Sequence, residues 1–269
     1  MASQLQFQTK PKYVLAVLDS LIMIKRSSLH ILRNQDQLLG TFFQPIMFLV
    51  LFAAVFGGAI SKALPPGVTY LNFLMAGIIV QTVAFGSTTT AVSVCSDLRK
   101  GIMDRFRSLP MSNLAVLNGH VVSDVFRNSF STAVMLLTGL LIGFRSQASL
   151  GEWLQIIGIL LLFTLAFSWL AAIVGVLAKS VEAVQWLTFV FIFPLTFASS
   201  AFVPAESMPA GLRAFAVNQP ITQVVDAVRA LILGAPIGQH GWLAVAWSVG
   251  LLLVTVPLAA WLFRRQATQ

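Results

Sequence analysis

A chain of 269 residues could form one or two soluble domains, but 57% of these residues are hydrophobic and only 10% charged, which excludes an ordinary water-soluble globule. A mean hydropathy of +0.86 and repeated apolar runs of about 20 residues place it in a bilayer. The formal charge of +8 would suit a nucleic-acid partner, but the cations sit in short connections between apolar runs, which fits the cytoplasmic side of a membrane protein better.

The chain opens on residues 1–37, read as a cytoplasmic tail and an amphipathic interfacial helix. Lys10, Lys12, Lys25, Arg26 and Arg33 fall here, and the apolar stretch Tyr13–Ile24 is too short to span, so no cleavable signal peptide is expected. Over 12–34, Val14, Leu18, Leu21 and Leu32 recur near helical spacing while the cations reach for headgroups. Residues 38–269 then read as a single all-α transmembrane domain. Crossing about 30 Å of hydrocarbon takes about 20 residues, and six stretches qualify, at about 38–60, 70–94, 114–144, 153–178, 183–203 and 242–263. Trp153, Trp186, Trp242 and Trp261 fall near their ends, as an aromatic belt requires.

With a cytoplasmic N-terminus, twelve of the seventeen Lys and Arg residues lie in inner segments. Four lie outside (Lys62, Arg145, Arg213 and Arg229), and Arg127 is buried in the third span. The bias predicts a multi-pass protein with both termini cytoplasmic. Between the second and third spans, residues 97–112 carry four cations and two carboxylates. Ile102, Phe106 and Leu109 fall at i, i+4 and i+7, so one helical face is apolar. Gly101 turns the chain out of the span and Pro110 ends the short helix. Two readings stand: docking in a groove of a soluble partner, or lying on anionic headgroups. Residues 204–241 form the last outer connection, with Pro204, Pro209, Pro220 and Pro236. Two short helices broken near Asn218–Pro220 are expected, with Asp226 and Arg229 paired at i and i+3, capping the bundle or dipping into the outer leaflet as a re-entrant segment.

Intramembrane chemistry has few candidates. His120, Asp124 and Arg127 share a face at i, i+4 and i+7, as a structural Asp–Arg lock between the third span and the 97–112 loop or interfacial helix, or as a proton relay. The small and hydroxylated run Gly86–Thr90 suits close helix contact or a mildly polar lining. Pro194 is expected to kink the fifth span, with Thr196, Ser199 and Ser200 repairing backbone bonds. No catalytic triad has supportive spacing. With His30, His120 and His240 dispersed and Cys95 the lone cysteine, neither a metal site nor an intrachain disulfide is expected.

Three segments carry a family resemblance. GIMDRFRSLPMSNLAVLNGHVVSDVFRN, FFQPIMFLVLFAAVFGGAI and NQPITQVVDAVRALILG resemble, in family order, ABC-2 type transporter permeases, especially the daunorubicin/doxorubicin-resistance exporter group. The resemblance implies a six-span permease with an interfacial helix and a cytoplasmic coupling helix at 97–112 that docks onto a nucleotide-binding ATPase subunit. Gly101, Ile102, Asp104, Arg105, Phe106, Arg107, Leu109 and Pro110 would make that contact, Arg105 and Arg107 by charge and Phe106 as the apolar knob. Two such ATPase subunits and a second permease chain, identical or homologous, would complete an exporter of a drug, lipid or glycolipid in a bacterial cell membrane. The sequence holds no G-x-x-x-x-G-K-[ST] motif, so no P-loop nucleotide site is expected in it, and ATP and Mg2+ would belong to the partner. The alternatives are an intramembrane lipid-modifying enzyme and a proton-coupled carrier.

Overall fold

The computed structural model describes residues 35–65, 67–100 and 113–266, with no strand among them. The helices are α1 Gln35–Ile60, α2 Tyr70–Gly86, α3 Thr88–Arg99, α4 Asn113–Ile142, α5 Leu150–Leu177, α6 Val181–Phe197, α7 Ala210–Asn218, α8 Pro220–Ile232 and α9 Gly238–Gln266, with 3-10 turns at Ser61–Ala63 and Ala205–Ser207. The expected interfacial helix at 12–34 and residues 101–112 of the charged loop lie outside the described residues.

Five stretches are long and apolar enough to cross a bilayer: Phe43–Ile60, Tyr70–Arg99, Val116–Ile142, Leu150–Leu177 and Gly238–Arg265. They match the first four and the last of the six expected spans. The other, expected at 183–203, is α6, a helix of 17 residues, about 25 Å long at 1.5 Å per residue. It stops soon after Pro194, which has no N–H to give. Thr196 Oγ1 donates to Ile192 O at 2.8 Å and Ser199 Oγ to Thr196 O at 2.5 Å, and such local bonds compete with helix continuation. Length alone therefore identifies five spans rather than six.

The second expected span also differs, since helix continues past Val94 to Arg99 with one break at Ser87. Thirty residues extend about 45 Å, longer than about 30 Å of hydrocarbon.

Burial sorts the helices into layers. The most apolar window of α2–α3 is 67% buried and that of α5 is 61%, against 6% for α1 and 22% for α9. A continuous α2–α3 and α5 therefore form the centre, with α4, α8 and α9 around them and α1 at the rim. The larger core joins Leu74, Ile78 and Ile79 of α2 to Phe163 of α5 and to Ile221, Val225 and Val228 of α8. A second core, towards the α3–α4 end, joins Val94 to Leu117, Val121, Trp169, Ile173 and Phe263. Gly77 lets α2 touch the chain beyond α6, because a Cβ there would run into the Ala201 backbone. Local sequence sets the helix starts. Ser149 and Glu152 form a reciprocal capping box on α5, Ser180 caps α6, and Pro220 occupies the first turn of α8.

Candidate functional site

Ser123, Asp124, Arg127, Asn128 and Ser131 of α4 are buried in the bundle, and the three residues singled out by spacing each engage a different neighbour. His120 Nε2 lies 3.1 Å from Asp97 Oδ2 on α3. The Asp124 carboxylate pairs with Arg127 on its own helix and accepts from Ser168 Oγ on α5. Arg127 Nη2 donates to Gly86 O, the last residue of α2, at 2.5 Å. That carbonyl is available because the break at Ser87 diverts the Thr90 N–H to Ser87 O at 3.0 Å. Glycine is needed here, since a Cβ at Gly86 would meet the Asn128 amide.

His120, Asp124 and Arg127 are therefore not one cluster but three rungs of a rack that ties α4 to α3, α5 and α2. Asp124 and Arg127 are 1% and 6% exposed, so the pair is closed to bulk water and to lipid. The loop residues proposed to dock, Gly101, Ile102, Asp104, Arg105, Phe106, Arg107, Leu109 and Pro110, lie outside the described residues. Their two roots are described: α3 ends at Arg99, α4 starts at Asn113, and the Asp97–His120 bond joins those helices between the loop and the rack.

At the opposite end, Asp226 and Arg229 form the expected i, i+3 pair, Nη1 donating to Oδ1 at 2.6 Å. Arg229 reaches further, with Nη2 on Ser200 O at 2.6 Å, Nε on Phe73 O at 3.2 Å and its guanidinium 3.7 Å above the Phe73 ring. Ser200 Oγ donates to Asp226 Oδ1 at 2.6 Å. Asn218 closes α7 by donating to Ala214 O at 2.8 Å, and Pro220 opens α8 one residue later. Between them Gln219 Nε2 donates to Leu195 O at 2.8 Å. The α7–α8 segment is thereby fastened to α2 and to the end of α6.

Sequence spacing missed Ser168, the Gly86 carbonyl and Gln219. Spacing along a helix reports which residues share a face, but not which neighbour that face meets. The break at Gly86–Thr90 was the one local signal, in a run read for packing and lining alone.

Five long apolar helices around a closed polar centre define a multi-pass membrane protein. The chain belongs to the ABC-2 type transporter family, whose profile matches residues 20–233. It is 32% identical over 260 residues to the daunorubicin resistance ABC transporter permease protein DrrB1 of Streptomyces coeruleorubidus, covering 96% of this chain and 90% of that one. It is 26% identical over 258 residues to the probable doxorubicin resistance ABC transporter permease protein DrrC of Mycobacterium tuberculosis, covering 94% and 91%. Nodulation protein J of Rhizobium meliloti is 25% identical over 209 residues, covering 76% and 77%.

Proposed function

We propose that this chain is the permease subunit of an ATP-driven exporter and moves a hydrophobic or amphipathic substrate, such as a drug, lipid or glycolipid, out of the cytoplasm or the inner leaflet. Energy comes from a separate nucleotide-binding subunit, two copies per transporter, docked on residues 97–112 of two paired permease chains. ATP and Mg2+ are held by that subunit. The observation that carries this reading is the rack on α4. The proposed docking loop springs from α3 and α4, and those helices are tied together by Asp97–His120 and to α2 and α5 by Arg127–Gly86 and Asp124–Ser168. A push on the loop would then move four helices together rather than bend one. The names of the relatives, permeases of drug-resistance ABC transporters, support the class of cargo.

In this reading both termini are cytoplasmic, and the residues before α1 lie along the inner interface. α6 with residues 198–203 makes the sixth crossing, and α7–α8 forms a re-entrant outer segment. A lipid-modifying enzyme or a proton carrier would need a polar cluster open to headgroups or water. Asp124 and Arg127 are instead buried and bonded to one another, to Ser168 and to Gly86.

The first test is whether the adjacent reading frame encodes a P-loop ATPase, and the second uses that protein. Wild type is expected to co-purify with it and to stimulate its ATP hydrolysis, and Phe106→Asp is expected to lose both while still reaching the membrane. Normal docking and transport by Phe106→Asp would remove the coupling assignment.

A further inference from the structure

Among the described residues, five buried side-chain atoms have no hydrogen-bond partner in the protein: Thr90 Oγ1, Arg127 Nε, both amide atoms of Asn128, and Ser131 Oγ. They are not scattered. Arg127, Asn128 and Ser131 lie on one face of α4, at i, i+1 and i+4. Gly86 sits against both Arg127 and Asn128. Thr90 is one helical turn beyond Gly86 and one turn before Val94, which packs on Leu117 and Val121 of α4, so the three share the side of α2–α3 that faces α4. The unpaired atoms therefore line one seam between α4 and the break in α2–α3, next to the Asp124–Arg127 pair. All four residues are 6% exposed or less.

Polar atoms left unpaired away from water are costly, and a native protein satisfies nearly all of them. The donor set says what satisfies these. Arg127 Nε and Asn128 Nδ2 only donate, Asn128 Oδ1 only accepts, and the two hydroxyls do both. A metal cation is repelled by the guanidinium and the amide N–H groups. An anion is repelled by the Asp124 carboxylate and by Asn128 Oδ1. The fitting occupant is small and neutral and both donates and accepts, which describes water; a buried water typically makes two to four bonds to such groups.

We propose that this seam is a water-binding site inside the membrane domain, with water bridging Thr90, Arg127, Asn128 and Ser131 across the break in α2–α3. Water there stabilises the ionised Asp124–Arg127 pair, because it supplies the dipoles that hydrocarbon lacks. It also lets α4 shift against α2–α3 while bonds are exchanged rather than broken. The site does not depend on the proposed coupling to an ATPase.

Two measurements on the full-length protein test it. Thr90→Val keeps the side-chain shape and Ser131→Ala is a small deletion, so both variants are expected to fold. If the hydroxyls hold water, each change removes a water ligand and lowers the melting temperature by about 2–5 °C. The double variant should lose about the sum, because Thr90 and Ser131 lie on opposite sides of Gly86 and hold separate waters. A melting temperature that is unchanged or raised means that the hydroxyls were dry, and overturns the proposal. A structure of the transporter in lipid at a resolution that shows water should place density within hydrogen-bond reach of Asn128 and Ser131. A dry seam in which these side chains bond one another overturns it as well.

Discussion

Asp124 and Arg127 pose the sharpest question at the scale of single residues, since an ion pair inside a membrane protein can serve structure or proton transfer. Their surroundings favour structure: Ser168 and the Gly86 carbonyl take bonds that a relay would need free. Asp124→Asn leaves the Arg127 charge uncompensated and is expected to cost about 3–5 kcal/mol, whereas replacing both partners by apolar residues restores most of it. The measurement is thermal unfolding in detergent, followed by transport. A structural pair predicts that Asp124→Leu with Arg127→Met melts near wild type and that whatever transport it retains keeps the wild-type pH profile. A shifted pH profile of transport in a well-folded double variant would return the pair to the relay reading. Arg229 is a contrasting case. Its carbonyl and carboxylate contacts come from three separate segments, and its rigid fork of donors cannot be replaced by the single ammonium of lysine.

Glycine packing decides how the elements approach one another. Gly77 and Gly158 are both helix-interior glycines, in α2 and α5, and by propensity alone alanine should stabilise either by about 0.5–1 kcal/mol. Their neighbours differ. A Cβ at Gly77 runs into the Ala201 backbone, while at Gly158 it meets nothing within 4 Å. Gly158→Ala is therefore expected to melt at or above the wild-type temperature, and Gly77→Ala below it, as α2 is forced away from the segment after α6. Equal melting temperatures would mean that α2 and residues 198–203 do not pack as described. The same segment explains the shortness of α6. Pro194, Thr196 and Ser199 end the helix, and the chain then turns into the grip of Arg229 and Gln219.

At the scale of the whole molecule, the ends of the bundle differ in charge. Arg99, Lys100, Lys179, Arg264 and Arg265 gather where α3, α5 and α9 end, and Lys62, Arg145 and Arg213 lie at the opposite end. If the first set is cytoplasmic, Lys179→Cys should react with a membrane-impermeant thiol reagent only in opened cells, and Arg213→Cys in intact ones. Cys95, the lone native cysteine, is buried and donates to Ala178 O, so its background labelling should be low. The reverse pattern would invert the topology and place residues 97–112 on the wrong side for an ATPase. α1 stands apart in this frame: between Phe43 and Ile60 only Leu49 is buried, and Phe43, Met47, Val50, Leu51 and Val55 are exposed, as suits a helix with one side among lipid or against a second chain.

The sequence by itself located the five long apolar helices, because spanning requires an uninterrupted apolar run and the run is visible residue by residue; at 183–203 it expected a sixth where α6 has 17 residues. It also determined the Asp226–Arg229 pair and the break before Pro220, since i, i+3 contacts and proline geometry are local. Only the tertiary structure decided that Arg127 grips Gly86, that Ser168 holds Asp124, that His120 meets Asp97, and that Arg229 joins α8 to α2 and the end of α6. Those bonds depend on the register between neighbouring helices. Register is set by how whole faces pack, through close contacts such as Gly77 on Ala201 and Gly86 on Asn128, and no local pattern along one helix encodes it.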